Sequence, residues 1–258
     1  MAQGAIGVPA SPVINQITMG DVTASLRQGI ADFRAAPLYG LFFGAIYALG
    51  GMLIYLFLQR LDMPWVILPI GIGFPLVGPF IACGLYEISR RLAAGQPLAW
   101  RDILGVIFRQ RERELSWMAF VVLFIFWVWL YQVRLLTALF LGFKSISTID
   151  SFVTVVTQSG EGMAFLATGT VVGAFLATAL FSVTVISIPL LMERNNDFVT
   201  AIVTSVRTVA ANPVPMLGFG ALVTVMAVAA MLPFFLGLLV VLPVLGHATW
   251  HLYKRAIA

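Results

Sequence analysis

Charge is scarce in this sequence and cysteine is almost missing. Charged side chains are 10% of the 258 residues, against 60% hydrophobic ones. Soluble domains carry about a quarter charged and about half apolar residues. A water-soluble fold of this length cannot hide so much apolar surface, so lipid is the expected solvent. Cys83 is the single cysteine, which excludes an internal disulfide and a thiolate metal cluster. Inside an apolar run it reads as a small buried hydrophobe. Residues 1–20 show no basic segment leading into an apolar one, so no cleavable signal is expected and the first span serves as its own anchor. Also missing are a Ser/His/Asp arrangement, a phosphate loop and a dense acidic pair. No enzymatic activity and no cofactor are expected.

What the chain has is six long apolar runs, at 37–58, 64–86, 115–131, 163–188, 213–232 and 234–253. Each is near the roughly 20 residues that cross a hydrocarbon core as a helix. The runs are continuous rather than alternating, which excludes a membrane β-barrel. The fifth and sixth meet at Pro233, so a very tight turn is expected there. Of the fifteen lysines and arginines, all but Arg60, Arg134 and Lys144 fall on one side of this map. The positive-inside rule makes that side cytoplasmic, with both termini on it. Topology therefore accounts for the net charge of +4, and nucleic acid is not needed as a partner.

Amphipathic stretches precede the first, third and fifth spans. Val22, Leu26, Ile30 and Phe33 share one helical face, with Thr18 and Asp21 spaced as a capping pair. Ile103, Leu104, Ile107 and Phe108 form the second such face. Asp197 caps a third helix bearing Phe198, Ile202, Val206 and Val209, which ends at Asn212-Pro213. Two placements stay open for all three: in the headgroup plane, or packed across the inner ends of the bundle. The order "surface helix, two spans" thus occurs three times, which suggests a tandem repeat about an axis along the membrane normal. The longest outer segment, 132–162, holds a short amphipathic helix over 148–157. Trp127, Trp129 and Tyr131 mark an aromatic belt at the outer boundary.

Few polar residues sit where they could carry chemistry. Pro69, Pro75 and Pro79 interrupt the second span's hydrogen bonding, so a kinked or broken helix is expected there. It serves either as packing geometry or as a carbonyl-lined ion or solute site. His247 and His251 lie one turn apart, where imidazoles can share a metal ion with Glu87 and Cys83, relay a proton with Glu87, or simply anchor the helix. No metal is assigned to them. Glu87 has its cheapest counter-ions in Arg90 and Arg91, three and four residues on. Gly40 and Gly44, and again Gly169 and Gly173, follow the spacing that lets membrane helices pack closely.

The stretch from Gly73-Phe74-Pro75 through Gly78-Pro79-Phe80 to Tyr86-Glu87-Ile88-Ser89-Arg90-Arg91 resembles the DUF2189 family of bacterial integral membrane proteins. So does the closing Pro243-Val244-Leu245-Gly246-His247 to Trp250-His251-Leu252-Tyr253. The likeness runs from about Ala36 onward. It implies a multi-span membrane protein and brings no catalytic residues.

The expectation is an all-α, polytopic transmembrane bundle: six spans, three cytoplasmic-side amphipathic helices and a candidate three-fold repeat. Residues 1–17 form a disordered tail and 18–258 one membrane domain. The expected place is the bacterial inner membrane, and the expected partners are the lipid bilayer and other membrane proteins or a second copy. A structural or accessory role leads. The alternatives are a small transporter or channel using the second span, and a respiratory-chain accessory subunit with metal or haem at the two histidines.

Overall fold

A computed structural model describes residues 12–59, 67–110, 114–142 and 149–258. Arg60, Trp65, Arg111, Arg113, Lys144 and most of the N-terminal tail lie outside the described residues. Among the described residues the regular structure is helical, apart from an isolated bridge between Ile14 and Ile257. In order, the helices are α1 Met19–Ala35, α2 Pro37–Gln59, α3 Ile67–Ala93, α4 Trp100–Gln110, α5 Leu115–Leu136, α6 Ile149–Gln158, α7 Gly160–Thr184, α8 Ser187–Glu193, α9 Phe198–Ala211, α10 Pro213–Met231 and α11 Leu238–Ala256. A π-helical turn, Thr137–Leu141, extends α5 past the expected outer boundary.

Local chemistry sets the helix starts. Thr18 and Asp21 form a reciprocal capping box at α1. Asp197 accepts the Thr200 N–H at α9, and Ser159 accepts the Gly162 N–H at α7. Each satisfies a donor that the first helical turn leaves free. Pro213 stands at the first position of α10, where its missing N–H costs nothing.

The six long helices pack as a closed ring in chain order, α2 to α3 to α5 to α7 to α10 to α11 and back to α2. α11 also reaches across to α3. It is the most enclosed helix, burying Leu238, Val244, Leu245, His247, Trp250 and Tyr253 among others. α11 runs antiparallel to α2: Phe235 lies beside Gly51, Leu239 beside Gly44 and Pro243 beside Gly40. Phe43 and Tyr47 of α2 face Gly84 and Gly78 of α3, so that pair is antiparallel too.

By length and composition, four described stretches suffice to cross a membrane: Pro37–Phe57, Leu115–Leu141, Gly160–Glu193 and Pro213–Met231. The six expected crossings therefore become four clear ones. α11 falls short because His247, Thr249, His251, Lys254 and Arg255 make its second half polar. α3 runs as one α-helix through Pro69, Pro75 and Pro79 instead of breaking. Each proline removes one backbone bond, and the flanking turns carry the helix through. The turn expected at Pro233 is tight: Phe234 and Phe235 both adopt left-handed backbone angles, φ 57° and 65°, which is strained for aromatic residues.

The amphipathic helices keep much of their expected apolar faces inside: Val22 and Val209 are buried, and Leu26, Phe198 and Ile202 pack against the core. α1 buries Val22, Ser25 and Gly29 against α11 and leaves Ile30 exposed. α9 buries Ala201, Thr204, Ser205, Thr208 and Val209, while Val199, Val203 and Val206 face outward. α4 buries Ile103 and packs Leu104 and Ile107 beside it, while Phe108 points out. In a membrane protein the small and hydroxylated side chains pack inward, because lipid accepts the apolar ones at no cost. Within the stretch read as a tail, Asn15 and Ile17 are tied down. The Asn15 N–H donates to the Ala256 carbonyl at 2.9 Å, and Ile17 N–H to Asn212 Oδ1 at 2.8 Å.

Candidate functional site: the polar cluster at the arginine-rich end

The ends of α1, α3, α4, α8 and α11 meet at one level, where the ion pairs among the described residues collect. Glu87 is the centre. Its side chain is 3% exposed, and an ionised carboxylate so placed needs close counter-charge. Arg90 supplies it through Nε and Nη2, both at 2.7 Å, and Arg91 through Nε at 2.7 Å. Arg91 then extends Nη1 to Asp102 Oδ2 and to the Pro97 carbonyl, each at 3.0 Å. This ties α4 to the end of α3.

His247 and His251 diverge. His247 is fully buried, and its Nδ1 pairs with Ser89 Oγ of α3 at 2.8 Å. Its Nε2 is buried without a hydrogen-bond partner among the described residues. His251 turns the other way and donates from Nε2 to Asp32 of α1 at 2.7 Å. Glu87 is held by its own arginines and Cys83 is buried in the apolar core. No group of three His, Cys, Asp or Glu side chains among the described residues is placed to hold a metal ion. The donors expected for a shared metal, on α3 and α11, thus each turn to separate partners.

Three further ties were not singled out from the sequence. Glu193 of α8 accepts from the Tyr253 hydroxyl and from Lys254 Nζ, the latter at 2.9 Å. Asn212 accepts from Ile17 and donates to the carbonyls of Asn15 and Thr208. Glu114 accepts the Phe198 N–H at 3.2 Å, joining the starts of α5 and α9. An asparagine before proline was the one available signal, for Asn212. The carboxylates carried none, because their partners lie far along the chain.

Outside the membrane-crossing stretches, two carboxylates are held below their ordinary range. The Thr18 backbone N–H, then its hydroxyl, stabilise ionised Asp21. The Thr200 hydroxyl, then its backbone N–H, do the same for Asp197.

The four glycines expected at helix contacts separate into two pairs. A β-carbon on Gly40 would meet Phe33 and Pro243, and one on Gly44 would strike the Leu239 backbone. One on Gly173 would meet nothing within 4 Å, and one on Gly169 only Leu136 at 4.0 Å. Gly173 instead borders an open apolar groove of about 540 Å³ between α5 and α7, with Phe126, Trp129 and Ala177.

Residues 67–193 match the family described as predicted integral membrane protein, DUF2189. That segment is similar to DUF2189. It runs from the first turn of α3 to the last of α8, so the family contributes Glu87, Ser89, Arg90, Arg91 and Glu193. α1 and α11, which bring Asp32, His247 and His251, lie outside the DUF2189 match. So does the closing motif that resembled the family. No curated protein and no solved structure matches the chain.

Proposed function

We propose that this is a six-span accessory protein of the bacterial inner membrane, without catalytic activity of its own. It serves other membrane proteins as a binding scaffold, with α5 as its contact helix. The carrying observation is how little of α5 its own chain covers. Of its membrane-crossing window 11% is buried, half the 22% found for each of the other three candidate spans. Burial is confined to Leu115, Met118, Ala119 and Leu136 near its ends. Between them Phe120, Phe124, Trp127, Trp129 and Tyr131 are exposed, with open apolar grooves of about 560 and 540 Å³ along the helix. Rigid aromatic side chains flanking grooves offer a partner helix contact area at low entropic cost.

Six crossings are supported by the ring itself, since antiparallel α2, α3 and α11 connect the same two levels as the four clear spans. The three-fold repeat gains support from packing. Each leading helix lies chiefly on the last helices of the unit before it: α4 on α3, α9 on α7 and α8, and α1 on α11. With both ends of the described chain joined at the arginine-rich level, the positive-inside rule places both termini in the cytoplasm.

A photo-crosslinking residue at Phe124 or Trp127 is the test. Adducts to one recurrent membrane protein are expected there, and none from Phe175 on the exposed face of α7. Adducts to lipid alone at all three positions would end the scaffold reading.

A further inference from the structure

The charges at the arginine-rich end are unevenly spent. Every described carboxylate there has a partner inside the molecule: Asp21 with Thr18, Asp32 with His251, Glu87 with Arg90 and Arg91, Asp102 with Arg91, and Glu193 with Lys254. Glu114 and Asp197 accept backbone N–H groups of α9. Five arginines are left over, one of them Arg109 at the end of α4, whose guanidinium folds back over Gly105. The other four, Arg27 and Arg34 of α1, Arg101 of α4 and Arg207 of α9, are exposed and make no ion pair or hydrogen bond among the described residues.

These four stand on the outward faces of the three short helices, beside the apolar side chains that those helices turn out. On α1, Met19, Thr23, Arg27, Ile30 and Arg34 form one exposed stripe at helical spacing. On α4, Arg101 lies seven residues before Phe108, hence on the same face, and Phe108 is 64% exposed. On α9, Arg207 adjoins Val203 and Val206, both exposed.

A free guanidinium next to an exposed apolar side chain fits one environment, the boundary between phosphate headgroups and acyl chains. Arginine also matches a phosphate with two parallel N–H donors. A soluble acidic partner would use the arginines and leave Ile30, Phe108 and Val203 in water.

We propose that Arg27, Arg34, Arg101 and Arg207 bind the phosphates of anionic phospholipids in the leaflet at this end. The helices α1, α4 and α9 thereby form a collar that gathers such lipids around the bundle. The proposal does not depend on the scaffold reading, since lipid binding and protein capture are measured separately.

The test is reconstitution of the full chain into nanodiscs of phosphatidylethanolamine with a minor share of phosphatidylglycerol, read by native mass spectrometry of the lipids retained. The wild type is expected to retain phosphatidylglycerol about five-fold over its bulk share, as roughly 1 kcal/mol per basic residue implies. The paired variants R27Q/R34Q and R101Q/R207Q should each lose part of this enrichment, and the quadruple variant most of it. R134Q, at the other end of α5, should lose none. Should the quadruple variant fail to fold, the two paired variants decide. Enrichment unchanged in both, or lost equally in R134Q, overturns the proposal.

Discussion

Gly44 of α2 lies against Leu239 of α11 so closely that a β-carbon on it would come within 2.5 Å of the Leu239 carbonyl oxygen and 2.8 Å of its Cα. Pro243, four residues on, has no N–H to give that carbonyl. The freed carbonyl of α11 and the bare surface of α2 therefore meet at one point.

Backbone cannot move aside as a side-chain tip can. Gly44→Ala is expected to destabilise the bundle by about 1–3 kcal/mol, the usual cost of overpacking. Gly173→Ala should leave stability unchanged or slightly raised, since it enters open space in a helix. Thermal unfolding of both variants in the same detergent makes the comparison. Equal shifts would show that the two glycine faces are equivalent after all.

Ser89 and His247 can be separated by a double-mutant cycle. Ser89→Ala alone leaves the buried Nδ1 of His247 without its partner, at about 1–3 kcal/mol. Combining it with His247→Leu removes both polar groups and should recover much of that loss. Additive losses in the double variant would mean that the pair contributes nothing as a pair.

Asn212 holds three groups from two segments. Asn212→Ala strands the Ile17 N–H, so amide exchange at Ile17 and Asn15 should accelerate well before α10 or α11 responds. Protection unchanged at Ile17 would show that the N-terminal segment is held by its bridge to Ile257 instead.

The helix caps set an acid limit. Asp21 and Asp197 are both depressed in the folded chain. Their contribution is thus full above the ordinary carboxylate range and is lost as pH falls through the folded values. Amide exchange in the first turns of α1 and α9 should rise on acidification, and Asp197→Asn, which still caps, should flatten the effect at α9. A pH-independent exchange rate in both turns would contradict this.

What the sequence determined was whatever depends on solvent or on neighbours along the chain. Composition chose lipid, and apolar run length chose helices. The caps at Thr18, Asp21 and Asp197, and the ion pair of Glu87 with Arg90 and Arg91, formed as their spacing predicts because all partners lie within one helical turn. Tertiary structure decided everything that joins distant segments. Ser89 finds His247 across 158 residues, Asp32 finds His251 across 219, and Asn212 finds Ile17 across 195. No local pattern encodes such pairs. It also decided how far the apolar faces of α1 and α9 are covered: Val22 and Val209 are buried, whereas Ile30 and Val206 are left outside. Where hydrocarbon surrounds the protein, apolar periodicity alone does not separate lipid-facing from packed residues, and close helix packing draws glycine, serine and threonine into the contact as well.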